Sequence, residues 1–245
     1  PVSGQELARQ LGVSRNAVWK AVEALRQSGY EIDSATNRGY SLLHDSDALS
    51  AGVISSLLED RSLPVYVLET VDSTSSECRR RIAAGEGRCL VLARQQSGGR
   101  GRNGKSFFSP PDAGLYMSAA LRLDMPHVDA VGITTWAAVC VAGAIRDVTG
   151  LESGGKWVND VFYGGKKVCG ILTEAVSSFE DGQALSAVVG IGVNLHPSAV
   201  PAGLEDIIGF LGCGAVKNEL AAEITNRLLR YNPRDRSYID EYRAL

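Results

Sequence analysis

The stretch "SGGRGRNGKSFFSP", Ser97 to Pro110, sets two arginines, a lysine and four glycines ahead of two adjacent phenylalanines. An arginine fork makes paired, charge-assisted bonds to phosphate or carboxylate oxygens. Glycine allows a backbone to approach a ligand closely, although it is costly to order. Arg100 and Arg102, separated by Gly101 and flanked by Gly98, Gly99 and Gly104, fit three roles: a flexible linker, a nucleic-acid contact, or a loop that closes on an anionic small molecule. Gly104-Lys105-Ser106 lacks the first glycine of a Walker phosphate loop, and no dinucleotide fingerprint is present.

Three more segments carry polar chemistry. In "ETVDSTSSE" (69–77), Asp72, Ser73 and Thr74 stand between a strand pattern and a helix pattern. Their hydroxyls and the free N–H groups there suit either a helix cap or an anion. In "GGKWVNDVFYGGKKVCGI", Lys156 sits beside Trp157, with Asn159, Asp160 and Lys167 close by. Lys156 reads as a surface lysine beside a core indole or as a partner for phosphate or carboxylate. Asp160 reads as a magnesium ligand or as a hydrogen-bond acceptor in the turn. In "VVGIGVNL", Gly190 and Gly192 interrupt an apolar strand, which weakens it unless something must come close to the backbone. Asn194 closes that strand, its amide placed to meet a ligand.

The elements that would hold these residues are mixed. Apolar alternation predicts strands over 65–71, 89–96, 115–123, 166–176 and 185–195. Helical spacing predicts helices over 129–150 and 217–231. Hairpin-like turns such as Gly164-Gly165 point to an α+β fold with a mixed sheet and helices packed on it. Residues 47–64 read as a linker with a connecting helix, and 65–245 as one large domain.

The first 46 residues read separately. Ser3 caps a helix with Leu7, Ala8 and Leu11 on one side, ended by Gly12. Ser14 caps a second helix carrying Ala17, Val18, Ala21, Val22 and Leu25, stopped by Gly29. "YEIDSATNRGYSLL" predicts a small wing turning at Asn37-Arg38-Gly39. Helix, glycine turn, helix and wing resemble the winged helix-turn-helix domains of bacterial regulators. The outer face then offers Ser14, Arg15, Asn16, Trp19 and Lys20, with Arg38 on the wing, to operator DNA. The alternative is a helical hairpin with a solvated charged face and Trp19 in its core.

Composition bounds the rest. A net charge of −3 over 245 residues requires any nucleic-acid contact to come from a local patch. No apolar run approaches the roughly 20 residues needed to span a bilayer, so no membrane association is expected. Cys78, Cys89, Cys140, Cys169 and Cys213 lie far apart, which argues against a disulfide framework and for the cytoplasm. No metal-ligand spacing appears, and His44, His127 and His196 do not cluster.

Taken in order, DST, QxxGRGRxG with FFSP, KWxND, KxxGIL and GIGxN closely resemble biotin protein ligases of the bifunctional, DNA-binding kind. The resemblance runs from the first helices to about residue 230. It implies a class II synthetase-like sheet after the winged helix. It also implies activation of biotin by ATP to biotinyl-5'-AMP, and transfer to a lysine of a biotin carboxyl carrier protein. Biotin would be held by Ser73, Thr74, Ser75, Gln96, Gly98, Gly99, Arg100, Gly101, Arg102, Lys156, Gly170, Gly190 and Gly192. Phe107, Asn159, Lys167 and Asn194 would face the nucleotide, and Lys156, Arg100 and Arg102 would carry the catalysis. Gly190 and Gly192 would let the flat bicyclic ring press on the strand. The loop is expected to be loose without ligand and to fold over the adenylate.

Magnesium would come with ATP, held mainly by phosphates and water. The bound adenylate would act as corepressor and favour a homodimer. Phe107 and Val158 stand where family members often carry Trp and Pro, changes that keep apolar bulk or an extended backbone. The helix that usually precedes this pair, and the SH3-like domain that usually ends the family's chains, are expected to be missing here. A lipoate-type ligase and a ligand-sensing repressor without catalysis are the rival readings.

Overall fold

In Pro1–Ala48, Ser3 caps α1 (Gly4–Leu11) by accepting from the Glu6 N–H at 3.0 Å. Gly12 ends that helix at φ 65°, a left-handed conformation that costs a side-chain residue strain. Ser14 starts α2 (Arg15–Gln27), its Oγ accepting from the Ala17 N–H at 3.1 Å. The wing is β1 (Glu31–Ala35) paired antiparallel with β2 (Gly39–His44). Val2 extends it by exchanging two backbone hydrogen bonds with Tyr40. The core is small: Ala8, Val18 and Val22, with Leu7, Ile32 and Tyr40 around them. Leu11 and Leu25, expected on the inner faces, are exposed, because that core closes over the earlier turns of each helix.

The structure is a computed structural model. It describes the chain except residues 28–29, 36–38, 45–46, 127–131, 157–158, 178–182, 215 and 233; at 35, 43–44, 124–126, 156, 176–177 and 183–185 it describes the backbone alone. Gly29, Arg38, Trp157 and Val158 therefore lie outside the described residues, as does the side chain of Lys156.

The unit Leu49–Leu245 is built on a seven-stranded sheet. Its strands are β3 (Val65–Val71), β4 (Cys89–Gln96), β5 (Gly114–Pro126), β6 (Gly154–Lys156), β7 (Asp160–Tyr163), β8 (Lys166–Ser177) and β9 (Gln183–Asn194). The order is β3-β4-β5-β9-β8-β7-β6, with β3 and β4 parallel and every other pair antiparallel. The helices are α3 (Ala51–Leu57), α4 (Thr74–Ala83), α5 (Ile133–Thr149), α6 (Lys217–Leu228) and α7 (Tyr238–Ala244). Gly164 and Gly165, at φ 57° and 78°, make the β7–β8 turn with two left-handed residues, the turn whose twist suits a tight hairpin.

Period-two alternation divides the sheet into two faces. Leu90 and Leu92 of β4, Leu115, Met117, Ala119 and Leu121 of β5, and Ala187, Val189, Ile191 and Val193 of β9 enter the main core beneath α3, α5 and α6. The opposite face carries Cys89, Val91, Ala120 and Val188, covered by Cys78 of α4. Within residues 47–64, read from the sequence as a linker with a connecting helix, Ile54, Leu58 and Leu63 pack into the main core. Two asparagines of α6 bind the backbone around α3: Asn218 accepts from the Ser50 N–H, and Asn226 accepts from Glu59 and donates to the Leu57 carbonyl.

Candidate functional site

The register of three strands places the site on the α4 face. Ser118 of β5 pairs with Gly190 of β9, which pairs with Leu172 of β8. The next row is Tyr116, Gly192 and Gly170. Two rows with glycine at their centres leave a trough that α4 does not fill. The resulting cleft is lined by Ser73, Thr74, Ser75, Gln96, Arg100, Gly101, Arg102, Phe107, Met117, Asn159, Lys167, Gly170, Ile171, Leu172, Gly190, Ile191 and Gly192.

One end of the cleft is a closed set of hydroxyls and an amide. Gln96 Oε1 accepts from the Thr74 N–H at 2.9 Å and from Thr74 Oγ1 at 3.1 Å, while Gln96 Nε2 donates to Ser109 Oγ at 2.8 Å. The Thr74 N–H can only donate, which fixes the orientation of the Gln96 amide. Each hydroxyl carries one proton. Thr74 gives its proton to Gln96, so Ser118 must donate to Thr74 Oγ1 at 2.8 Å, and Ser75 to Ser118 Oγ at 3.0 Å. Ser73, Thr74, Ser75 and Ser118 are all buried. A Cβ added at Gly190 would stand 2.5 Å from Ser75 Oγ, so the absence of a side chain there admits the hydroxyl.

The other end is cationic. Arg100 Nη2 lies 3.1 Å from Glu174 Oε1, Arg102 Nη1 donates to Asn159 Oδ1 at 3.0 Å, and Lys167 Nζ lies 2.7 Å from Asp160 Oδ1. Asn159 donates in turn to the Ile171 carbonyl at 3.0 Å. The segment read as loose has a defined backbone. Gly101 N–H donates to the Lys105 carbonyl and Phe107 N–H to that of Gly99, so Arg100 and Ser106 face each other as in a hairpin. Gly98 N–H donates to the Asp72 carbonyl at 2.8 Å, anchoring the loop to the end of β3. The Phe107 ring covers Gly192 and Gly170 and meets Tyr116 edge-on, centroids 6.5 Å apart. Burial pushes the Tyr116 phenol up, and its hydroxyl donates to the Pro110 carbonyl at 3.0 Å. The Arg80 guanidinium beside Asp72 holds that carboxyl down at about 2.

The structure thus brings Ser73, Thr74, Ser75, Gln96, Arg100, Gly101, Arg102, Phe107, Asn159, Lys167, Gly170, Gly190 and Gly192 to one cleft. Gly98 and Gly99 shape the loop without lining it. Asn194 stands apart; its amide donates to the Gly209 carbonyl at 3.1 Å. Lys156 lies on β6 opposite Asp160. Sequence reasoning missed Ser118, Ser109, Arg79 and Glu174. The only sign of Ser118 was a lone serine in the largely apolar run "LYMSAAL".

In the first unit, Ser14, Arg15, Asn16, Trp19 and Lys20 are all exposed, Trp19 at 51%, which removes it from the core. Ser14 Oγ is engaged in its cap. All five cysteines are free. Among the described residues no helix is long and apolar enough to cross a membrane, and no group of three or more His, Cys, Asp or Glu side chains is gathered for a metal.

Residues 67–194 match the biotin/lipoate A/B protein ligase family, and residues 1–41 match an HTH domain. The bifunctional ligase/repressor BirA of Bacillus subtilis is 35% identical over 97% of this chain and 74% of its own length. The chain belongs to the biotin protein ligase family. It is the kind of ligase that carries an HTH domain ahead of the catalytic fold. The BirA of Salmonella typhimurium is 32% identical over 92% of this ligase and 71% of its own length. Among solved structures, the biotin protein ligase from Aquifex aeolicus in complex with biotin and ATP superposes with a TM-score of 0.53, at 25% identity over 67% of this chain and 70% of that one. The Leishmania major enzyme shares the fold at a TM-score of 0.59 and 22% identity, over 74% of this chain and 80% of its own.

Proposed function

We propose that this chain is an ATP-dependent biotin ligase that also represses transcription from operator DNA. The observation that carries the reading is the two-ended cleft, with a buried hydroxyl–amide floor and a cationic rim, in a chain of the biotin ligase family. The floor fits a neutral, hydrogen-bonding ring head, and the rim fits a carboxylate becoming an acyl phosphate.

In the first half-reaction a biotin carboxylate oxygen bonds to the α-phosphorus of ATP as the bond to pyrophosphate breaks. Negative charge gathers on the phosphoryl oxygens, which fixed cations oppose. Arg100, Arg102 and Lys156 are the residues for that role, with Asn159 and Lys167 towards the nucleotide. Magnesium enters with the triphosphate as part of the substrate. In the second half-reaction a carrier lysine amine attacks the acyl carbon, the C–O bond to AMP breaks, and the amine proton leaves to solvent. The loop excludes water from the anhydride meanwhile. Arg15, Asn16, Trp19 and Lys20 face the operator, and the adenylate promotes pairing of two copies.

Purified chain incubated with biotin and ATP should retain biotinyl-adenylate by mass spectrometry and sediment as a dimer at micromolar concentration. Lipoate or octanoate in place of biotin should yield neither. Adenylate formed from lipoate would favour the lipoate-type alternative, and no adenylate from any acid would leave a ligand-sensing repressor.

A further inference from the structure

Glu174 lies on β8 at the row of Val188 and Ala120, on the face that carries the cleft. It does not line the cleft, whereas Arg100 does. Its side chain is only 21% exposed, and a carboxylate so placed needs cationic partners to offset lost hydration. It has two. Arg79 of α4 reaches Oε1 at 3.0 Å and is itself held by Ser76 Oγ at 3.1 Å. Arg100 reaches Oε1 with Nη2 at 3.1 Å and Oε2 with Nη1 at 3.4 Å. Two guanidinium groups on one carboxylate leave a single net positive charge. The carboxylate therefore fixes the loop cation without cancelling the charge that an anionic substrate would meet.

We propose that Glu174, braced by Arg79, is a positioning residue that holds Arg100 at the cleft before the anionic substrate arrives. The inference rests on the ligase reading above and deepens it. Arg100 has a long stem and is 41% exposed, so without the clamp its rotamers are frozen only at binding. That cost is met once, when the biotin carboxylate binds and before the phosphoryl charge that Arg100 opposes develops, so it weakens ground state and transition state by the same amount. Such a loss of uniform binding raises KM and leaves kcat in place.

The test uses the full chain carrying Glu174→Gln, which keeps shape and removes charge. In biotin-dependent exchange of pyrophosphate into ATP, KM for biotin should rise about three- to tenfold with kcat within about twofold, an effect limited by the pair's partial exposure. Glu174→Asp should recover part of that rise. Glu174→Gln added to Arg100→Ala should change nothing further, because the carboxylate acts through Arg100. Without any substrate, tryptic cleavage between Arg100 and Lys105 should quicken at least about threefold, as the loop opens more often. The clamp is overturned by a lowered kcat at unchanged KM, which is what lost folding alone produces. It is equally overturned by full additivity with Arg100→Ala, or by an unaltered cleavage rate. Wild type that exchanges no pyrophosphate would remove the ligase reading, and the cleavage rates would still judge the clamp.

Discussion

At the floor of the cleft, buried Ser75, Ser118 and Thr74 pass their protons in one direction to Gln96 Oε1. At the rim, Arg100, Arg102 and Lys167 each lean on a protein acceptor and stay partly in solvent. The floor is set before any ligand arrives, since each of its hydrogen bonds constrains the next. Away from the Arg100 clamp the rim is satisfied yet exchangeable, because a screened ion pair gives up its partner at little cost. On the function proposed above, recognition of the ring head would belong to a rigid part, and handling of charge to an adjustable one.

That contrast can be broken most forcefully at Gly190. Gly190→Val would drive carbon into Ser75 Oγ and turn that hydroxyl out of the chain of donors. Overpacking of this kind costs about 1–3 kcal/mol, so biotin affinity should fall roughly five- to 150-fold by calorimetry. Affinity within roughly threefold of wild type would mean the floor is as yielding as the rim.

Ser118→Ala sharpens the contrast more gently. It removes the hydroxyl between Thr74 and Ser75 and leaves each short of a partner, at about 1–2 kcal/mol, or roughly tenfold in biotin affinity. An unchanged titration would show that the ordering of protons has no bearing on binding.

The smallest effect is expected for charge in open solvent. Asp72 and Arg80 are about half exposed, at 54% and 52%. The folded chain holds the Asp72 carboxyl down at about 2, from an ordinary 3.8. Its contribution is therefore complete above 3.8 and disappears as pH falls through about 2. Asp72→Asn should cost only a few tenths of a kcal/mol at neutral pH after solvent screening. Urea melts of the two proteins should converge by about pH 2. A gap that persists at that pH would assign the loss to hydrogen-bond geometry at Asp72 and not to charge.

Much of this architecture was legible beforehand. β3 and β4 begin and end where alternation predicts, and the Ser73 cap sits where a hydroxyl precedes a helix pattern. The cleft's arginines and central glycines were legible too, because such residues are out of place in linkers and strands. What the glycines admit was not. Gly192 faces Phe107 and Gly190 faces Ser75, and only the three-strand register brings those partners together. Ser118 and Glu174 were missed for the same reason: each is ordinary in its own strand and acquires a role only from a neighbour far along the chain. Asn194 shows the converse, since a strand-end amide looks available until the Gly209 carbonyl takes it.

The clasp between α3 and α6 bears on how the polypeptide is made. Asn226 and Leu57 are 169 residues apart, so the catalytic body cannot close until nearly all of it has left the ribosome. The opening 48 residues contain their own core and can finish while the remainder is still being synthesised. The DNA-reading unit thus reaches its final form first, in the company of an unfinished enzyme.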